Sequence, residues 1–166
     1  MPNFCLNRLH VSSSNSNQLK EFIEKARGLV SIGARIEPSA LCFNNFYPYP
    51  NNKSGSKKFF KNYLGFHNDN NWRRENWGTT SEALWVKIEN QTSNLIIYSF
   101  STAWEPPLPL LYTISTLFPD LSIEITYDEP GVGFHGFASF ENGIEEIVDS
   151  RAIENNRHSI SLTDLF

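Results

Sequence analysis

The chain has 166 residues, a formal net charge of −4 and a core-forming stock of 13 Phe, 6 Tyr and 4 Trp, which predicts one domain with a sizeable core. No stretch approaches the roughly 20 apolar residues of a membrane span, and MPNFCLNRLHV lacks the apolar run of a signal peptide, so a cytoplasmic protein is expected. A pI near 5.6 argues against a protein that lives on phosphate contacts, which need clustered Lys and Arg.

Phe4 to Val11 reads as a first strand, with Leu6, Arg8 and His10 on one face and Cys5, Leu9 and Val11 on the other. The tract SSSNSN that follows is a loop. Asn17 is a candidate N-cap for a helix over about Gln18 to Leu29, whose Leu19, Phe22, Ile23, Ala26 and Val30 fall on one stripe. Ala40 to Phe46 reads as a second strand. Cys5 and Cys42, both in predicted strands, are expected as reduced thiols.

An aromatic and basic insertion is expected over residues 47–80. Pro48 and Pro50 remove backbone donors and the Asn, Ser and Gly after them favour turns, so about Tyr47 to Asn71 is irregular. Phe59, Phe60, Tyr63, Leu64 and Phe66 have the spacing of a short docked helix. Between Lys53 and Arg74 six basic residues stand against Asp69, a local +5.

Trp85–Glu89 and Leu95–Ser101 read as a hairpin around NQTSN. In FSTAWEPPLPLL, Pro106, Pro107 and Pro109 open an amphipathic helix carrying Leu110, Leu111, Ile114, Leu117 and Phe118. Glu105 is placed at the positive end of that helix, and Trp104 is expected as a buried wedge between strand and helix. Ser122–Asp128 and Phe134–Phe140 are further strands, and 144–166 is a polar extension with weak local packing by Ile144, Ile147 and Val148. The order predicts one α+β sandwich over 1–166, an antiparallel sheet with two helices on one face and a long irregular insertion.

Chemistry-bearing patterns are sparse. Gly131, Gly133 and Gly136 match G-x-G-x-x-G, but FHGFASF after them is strand-like, so no helix N-terminus is there to hold a pyrophosphate. His10, His67, His135 and His158 show no metal-ligand spacing with one another or with a cysteine. No cofactor, metal or catalytic residue is therefore expected, and an enzyme would need a site assembled from Glu105, Asp128 and His135 at the end of the sheet.

Two binding surfaces compete. From Glu82 to Asp149 eleven acidic residues stand against Lys87 alone, a local −10, which points to a protein partner met through Glu124, Asp128, Glu129 and Glu141. In NNWRRENWGTTSEALW, Trp72, Trp77 and Trp85 surround Arg73 and Arg74; with Lys57, Lys58 and Lys61 they suit stacking and phosphate contacts. The structural alternative, in which at least two of these tryptophans anchor the insertion on the core, is preferred.

The segments PNFCLNRLHV, FYPYP, ENWGTTSEA, FSTAWEPPLP and FPDLSIEITYDEPGVGFHGFASFENG, spread over about residues 1–143, are similar to the YubB-type family of phage and conjugative-plasmid proteins. Phe4 stands where that family tends to have tryptophan, and Thr80 where a lysine is usual. The resemblance implies a ferredoxin-like fold over 84–143, a mobile-element origin and life in the cytoplasm of a bacterial host. It implies no reaction. Since such genes accompany anti-defence genes, the expected function is a non-catalytic, protein-binding inhibitor of a host nucleic-acid-handling defence complex, of anti-CRISPR or anti-restriction type, acting through its acidic surface. The alternative is a nucleic-acid-binding module built on the Trp and Arg residues of the insertion; no membrane partner is expected.

Overall fold

A computed structural model describes residues 3–32, 34–50 and 70–152. The expected docked helix of the insertion, Lys53, Lys57, Lys58, Lys61, His67 and His158, and the end of the C-terminal extension from 153 lie outside the described residues.

In chain order the elements are β1 (Phe4–Ser12), α1 (Ser16–Ala26), β2 (Gly28–Ile32), β3 (Arg35–Ser39), a 3-10 turn (Phe43–Asn45), α2 (Asn70–Asn76), β4 (Leu84–Gln91), β5 (Leu95–Ala103), α3 (Leu108–Leu117), β6 (Ser122–Glu129), β7 (Phe134–Glu141) and β8 (Ile144–Asp149). Six strands form one antiparallel sheet in the order β4-β5-β1-β6-β7-β8, and β2 and β3 form a separate hairpin. Because β5 and β6 are both antiparallel to β1, they run parallel to each other; α3 connects them, and the N-terminal strand fills the slot between them. This is a split β-α-β unit.

The apolar side chains decide which face is covered. Cys5, Leu9 and Val11 of β1, Ile96, Tyr98 and Phe100 of β5, Ile123 and Ile125 of β6, and Ala138 and Phe140 of β7 join one buried cluster with Leu19, Phe22 and Ile23 of α1 and Leu110, Leu111 and Ile114 of α3. Both longer helices therefore lie on the same face, as the α+β sandwich requires. Phe22 of α1 joins the 3-10 turn to the end of α3, stacking on Phe46 at 5.3 Å and meeting Phe118 edge-on at 5.8 Å. Each such side chain contributes about 1.5–3 kcal/mol by its burial.

Six expectations are corrected. Helix α1 starts two residues earlier, at Ser16 rather than Gln18, capped by Asn15 instead of Asn17, the Asn15 Oδ1 accepting from the Gln18 amide at 3.3 Å, and it stops at Ala26 rather than Leu29. Val30 fits the helical stripe but is buried from within β2, since Gly28–Ile32 pairs with Arg35–Ser39 instead of continuing the helix. Ala40 to Phe46 is not a strand: the consecutive buried residues Leu41, Cys42 and Phe43 belong to a 3-10 turn and its approach, and a short apolar run carries no period to distinguish the two. The Glu82 carboxylate accepts from the amides of Phe43 (2.6 Å) and Asn44 (3.0 Å) at the start of that turn. Desolvation pushes this carboxyl above its ordinary range against those bonds.

Ile144–Asp149, expected to pack only locally, is the edge strand β8, in register with β7 from Glu141↔Ile144 to Gly136↔Asp149. Asn142 and Gly143 join them with φ of 47° and 73°, the left-handed pair of a type I′ hairpin turn, for which Asn-Gly is the favoured sequence. Trp104, finally, is not a buried wedge. It is 41% exposed at φ 71°, and its amide donates to the Asn3 carbonyl at 2.9 Å. The stability cost of deleting a buried tryptophan thus does not apply to it. Glu105 likewise stands outside α3, which begins at Leu108 behind Pro107 with no acidic residue in its first turn.

Candidate functional site

The face of the sheet opposite α1 and α3 carries the polar half of every alternating strand, and among the described residues no helix packs on it. Cross-strand pairing arranges its side chains in rows. His10, Glu124, Ser139 and Glu146 form one row from β1 to β8, Arg8, Thr126, Phe137 and Val148 a second, and Leu6, Asp128 and His135 a third. Glu124, Asp128 and Glu146 thus stand exposed together on β6 and β8.

Toward the β4 edge lies an apolar corner, which Asp128 adjoins through its cross-strand partner Leu6, while Glu146 stands on the opposite edge strand. Leu6 is 51% and Trp85 55% exposed. The Trp85 ring meets Phe4, on the same side of β1 as Leu6, edge-on at 5.0 Å. Trp85 sits at φ 53° in an irregularity of the β4–β5 pairing between Leu84 and Lys87, which turns its side chain out of the strand's alternation. Lys87 of β4 and Arg8 of β1 both pair with Ser99 of β5, and Arg8 is held by its neighbours. Its Nε donates to Glu89 at 2.7 Å and its Nη1 lies 2.6 Å from His10 Nε2. The Arg8 guanidinium holds the Glu89 carboxyl below its ordinary range, chiefly by that hydrogen bond.

Of the acidic residues singled out from the sequence, Glu124 and Asp128 share this face and Glu141 is exposed at the end of β7. Glu129 does not join them. It is 1% exposed, and its carboxylate accepts from the amides of Gly131 and Val132, so it braces the β6–β7 turn rather than meeting a partner. That turn, within the G-x-G-x-x-G match, joins two strands and opens no helix.

The Trp and Arg residues are mostly consumed by packing. Trp77 is 1% exposed, with Nε1 donating to the Tyr47 carbonyl at 2.9 Å. Trp72 is half-buried between Trp77, Tyr47 and Tyr49, its ring centroid 5.9, 5.5 and 5.1 Å from theirs. The Arg73 guanidinium lies 5.3 Å over the Trp77 ring and donates to the Thr80 carbonyl at 3.3 Å. Arg74 is exposed. Two tryptophans anchor this segment, and the third, Trp85, does not.

Glu105, Asp128 and His135 do not converge. Asp128 and His135 are cross-strand partners on the open face, whereas Glu105 belongs to a cluster at the end of the covered face. There Arg151 Nη1 donates to both Glu105 oxygens at 3.0 and 3.1 Å, its Nη2 donates to Asp149 Oδ2 at 2.7 Å, and its plane lies 3.7 Å over Phe134. Tyr127 Oη donates to the same Asp149 oxygen at 2.8 Å. Burial, and then Asp149, push the Tyr127 hydroxyl pKa up. This cluster was not legible in the sequence, because Glu105 and Arg151 meet only once β8 is in place.

The hydrogen bond from Arg151, aided by Tyr127, holds the Asp149 carboxyl at about 2. A depressed carboxylate stabilises the fold above its ordinary pKa and loses that contribution as the proton returns. The stability advantage of the wild type over Asp149→Asn is therefore expected to be constant above about pH 4 and to vanish as pH falls toward 2. Urea denaturation of both proteins between pH 2 and 6 measures it, and an advantage independent of pH would assign the role of Asp149 to something other than its charge.

Cys5 and Cys42 are unpaired and buried, and burial pushes both thiols up to about 12, so neither is a nucleophile near neutral pH. Among the described residues no three His, Cys, Asp or Glu side chains converge to hold a metal, and no helix is long and apolar enough to cross a membrane.

The fold and this surface define an α+β protein whose C-terminal half is ferredoxin-like and whose sheet leaves one face open. Residues 82–161 match the family described as the ferredoxin-like domain in Api92-like protein. The crystal structure of the protein Api92 from Yersinia pseudotuberculosis is similar in fold, with a TM-score of 0.59 at 10% identity, over 86% of this chain and 95% of that one. No curated protein matches the chain. The ferredoxin-like expectation is met over the matched residues.

Proposed function

We propose that this protein is a non-catalytic accessory protein of a phage or plasmid that binds a basic host protein through the open face of its sheet, and that the partner belongs to a nucleic-acid-handling defence complex. The observation that carries this reading is that Glu124, Asp128 and Glu146 are exposed on one face of the sheet, where Asp128 is the cross-strand partner of the exposed Leu6. An apolar anchor edged by carboxylates is the complement of a surface that otherwise receives nucleic acid. The choice of a defence complex rests on the resemblance to mobile-element proteins and on fold-level analogy. The nucleic-acid alternative has less support, since Trp77 is buried and Arg73 is engaged with Trp77 and Thr80.

The test is capture from a bacterial lysate across a salt series, with identification of what is retained. Retention of a basic nucleic-acid-handling protein, weakened at least about tenfold by Glu124→Lys with Asp128→Lys and by high salt, is the expected result. Both positions are exposed, so the double variant should stay folded. Equal capture by the variant, or retention of nothing above background, would overturn the reading; a shift of bare DNA at low salt would favour the alternative.

A further inference from the structure

On the covered side of the sheet a groove runs between α2, α3 and the edge strand β8. Leu108 and Ile147 give it an apolar lining, Tyr47 and Tyr112 contribute aromatic rings, and Glu75 and Glu145 contribute carboxylates. No lysine or arginine lines it among the described residues. Tyr47 and Tyr112 are 37% and 41% exposed, and Ile147 is 44% exposed. Tyr47 is fixed from behind by Trp72, with ring centroids 5.5 Å apart. The groove belongs to the side of the sheet opposite Glu124 and Asp128, so it is distinct from the open face.

Its chemistry selects one kind of occupant. An anion would meet two carboxylates that form no salt bridge among the described residues, and a neutral apolar group would desolvate them without return. An alkyl chain ending in a cation satisfies both halves. Its stem would lie on Leu108 and Ile147 and its head among the tyrosines and carboxylates of the same lining, a combination in which cation–π contacts and charge-assisted hydrogen bonds add. We propose that this groove receives the ammonium or guanidinium head of a lysine or arginine side chain on the partner protein. The proposal rests on the reading that the partner is basic, and it supplies a second point of contact on the other side of the molecule.

The probes are n-butylammonium and n-butylguanidinium, which reproduce the two side chains, with n-butyramide as the neutral control. Each is titrated into the isotope-labelled full chain and followed by amide chemical shifts. The expected result is saturable movement of Tyr112, Thr113, Glu145 and Ile147 with the cations and none with the amide. Tyr112→Leu and Glu145→Gln, both at exposed positions, should each weaken cation binding about twofold to tenfold while leaving the remaining spectrum in place.

Linear, unsaturated shifts, equal movement with n-butyramide, or unchanged affinity in the two variants would each overturn the proposal. Glu124→Lys with Asp128→Lys should leave these titrations unaltered, so failure of the groove and failure of the open face are separate outcomes.

Discussion

Trp77→Ala is expected to cost about 3–5 kcal/mol of folding stability. The indole is 1% exposed and packs edge-on against Phe43 and Trp72, both at 5.9 Å between ring centroids. Its Nε1 is a partner of the Tyr47 carbonyl, so deletion also strips a half-buried acceptor of its donor. The tryptophan closes the two ends of the insertion onto the core, with Tyr47 on one side and α2 on the other. Trp77→Phe separates the two contributions: it keeps most of the apolar burial and loses the N–H, and should cost about 1–2 kcal/mol. Denaturant unfolding with an unchanged m-value is the measurement. A loss below about 1 kcal/mol for Trp77→Ala would mean that the pocket refills from neighbouring side chains.

Gly78→Ala is expected to cost about 2–5 kcal/mol, a large effect for one methyl group. Gly78 ends the turn after Trp77 at φ 88°, and a Cβ there would lie 2.5 Å from Pro109 Cδ and 2.9 Å from the Pro106 carbonyl oxygen. Those atoms belong to the proline-rich approach and first turn of α3, a ring and a backbone carbonyl that cannot yield as a flexible side chain would. Gly133→Ala is the control. It has a similar φ of 89° with nothing within 4 Å of the added carbon, and should cost only the left-handed penalty of about 1 kcal/mol. Equal losses at the two sites would show that backbone conformation alone, and not the close approach to α3, sets the requirement at Gly78.

The sequence was informative where a period of two or of 3.6 was long enough to be unambiguous. Ser122–Glu129 alternates buried and exposed residues without a break, and Leu110, Leu111 and Ile114 fall on the covered stripe of α3. It misled where the period was short or shared. Val30 suits a helix and a strand equally, and Leu41–Phe43 has no period at all. Asn142-Gly143 is a hairpin signal that went unused, because the polar character of Glu145 and Glu146 disguised the strand that followed.

For the site, alternation in β1 correctly grouped Leu6, Arg8 and His10, yet which strands lay beside them was a matter of topology. Glu124 and Asp128 could be read as exposed because their neighbours are apolar. Glu129 could not be read as buried, because only the turn that follows it supplies the amides that make burial tolerable. Trp85 and Trp104 were hidden for a related reason. Both sit at positive φ, where side-chain direction follows from a local backbone irregularity that composition does not announce.

The slot occupied by β1 also sets a timetable. Asn7 and its hydrogen-bond partner Thr102 are 95 residues apart in the chain, so β1 waits for a long stretch of later chain before either neighbour exists. Until then its edges are unpaired and its apolar side is bare, and the loop to be closed is long, which slows folding and favours association between incomplete chains. The stretch 82–161 cannot complete the six-stranded sheet alone, since its β5 and β6 meet only through the N-terminal strand. Residues Phe4 to Ser12 therefore act as a late keystone, and a protein made without them would expose two strand edges in its middle rather than simply lose one from its rim.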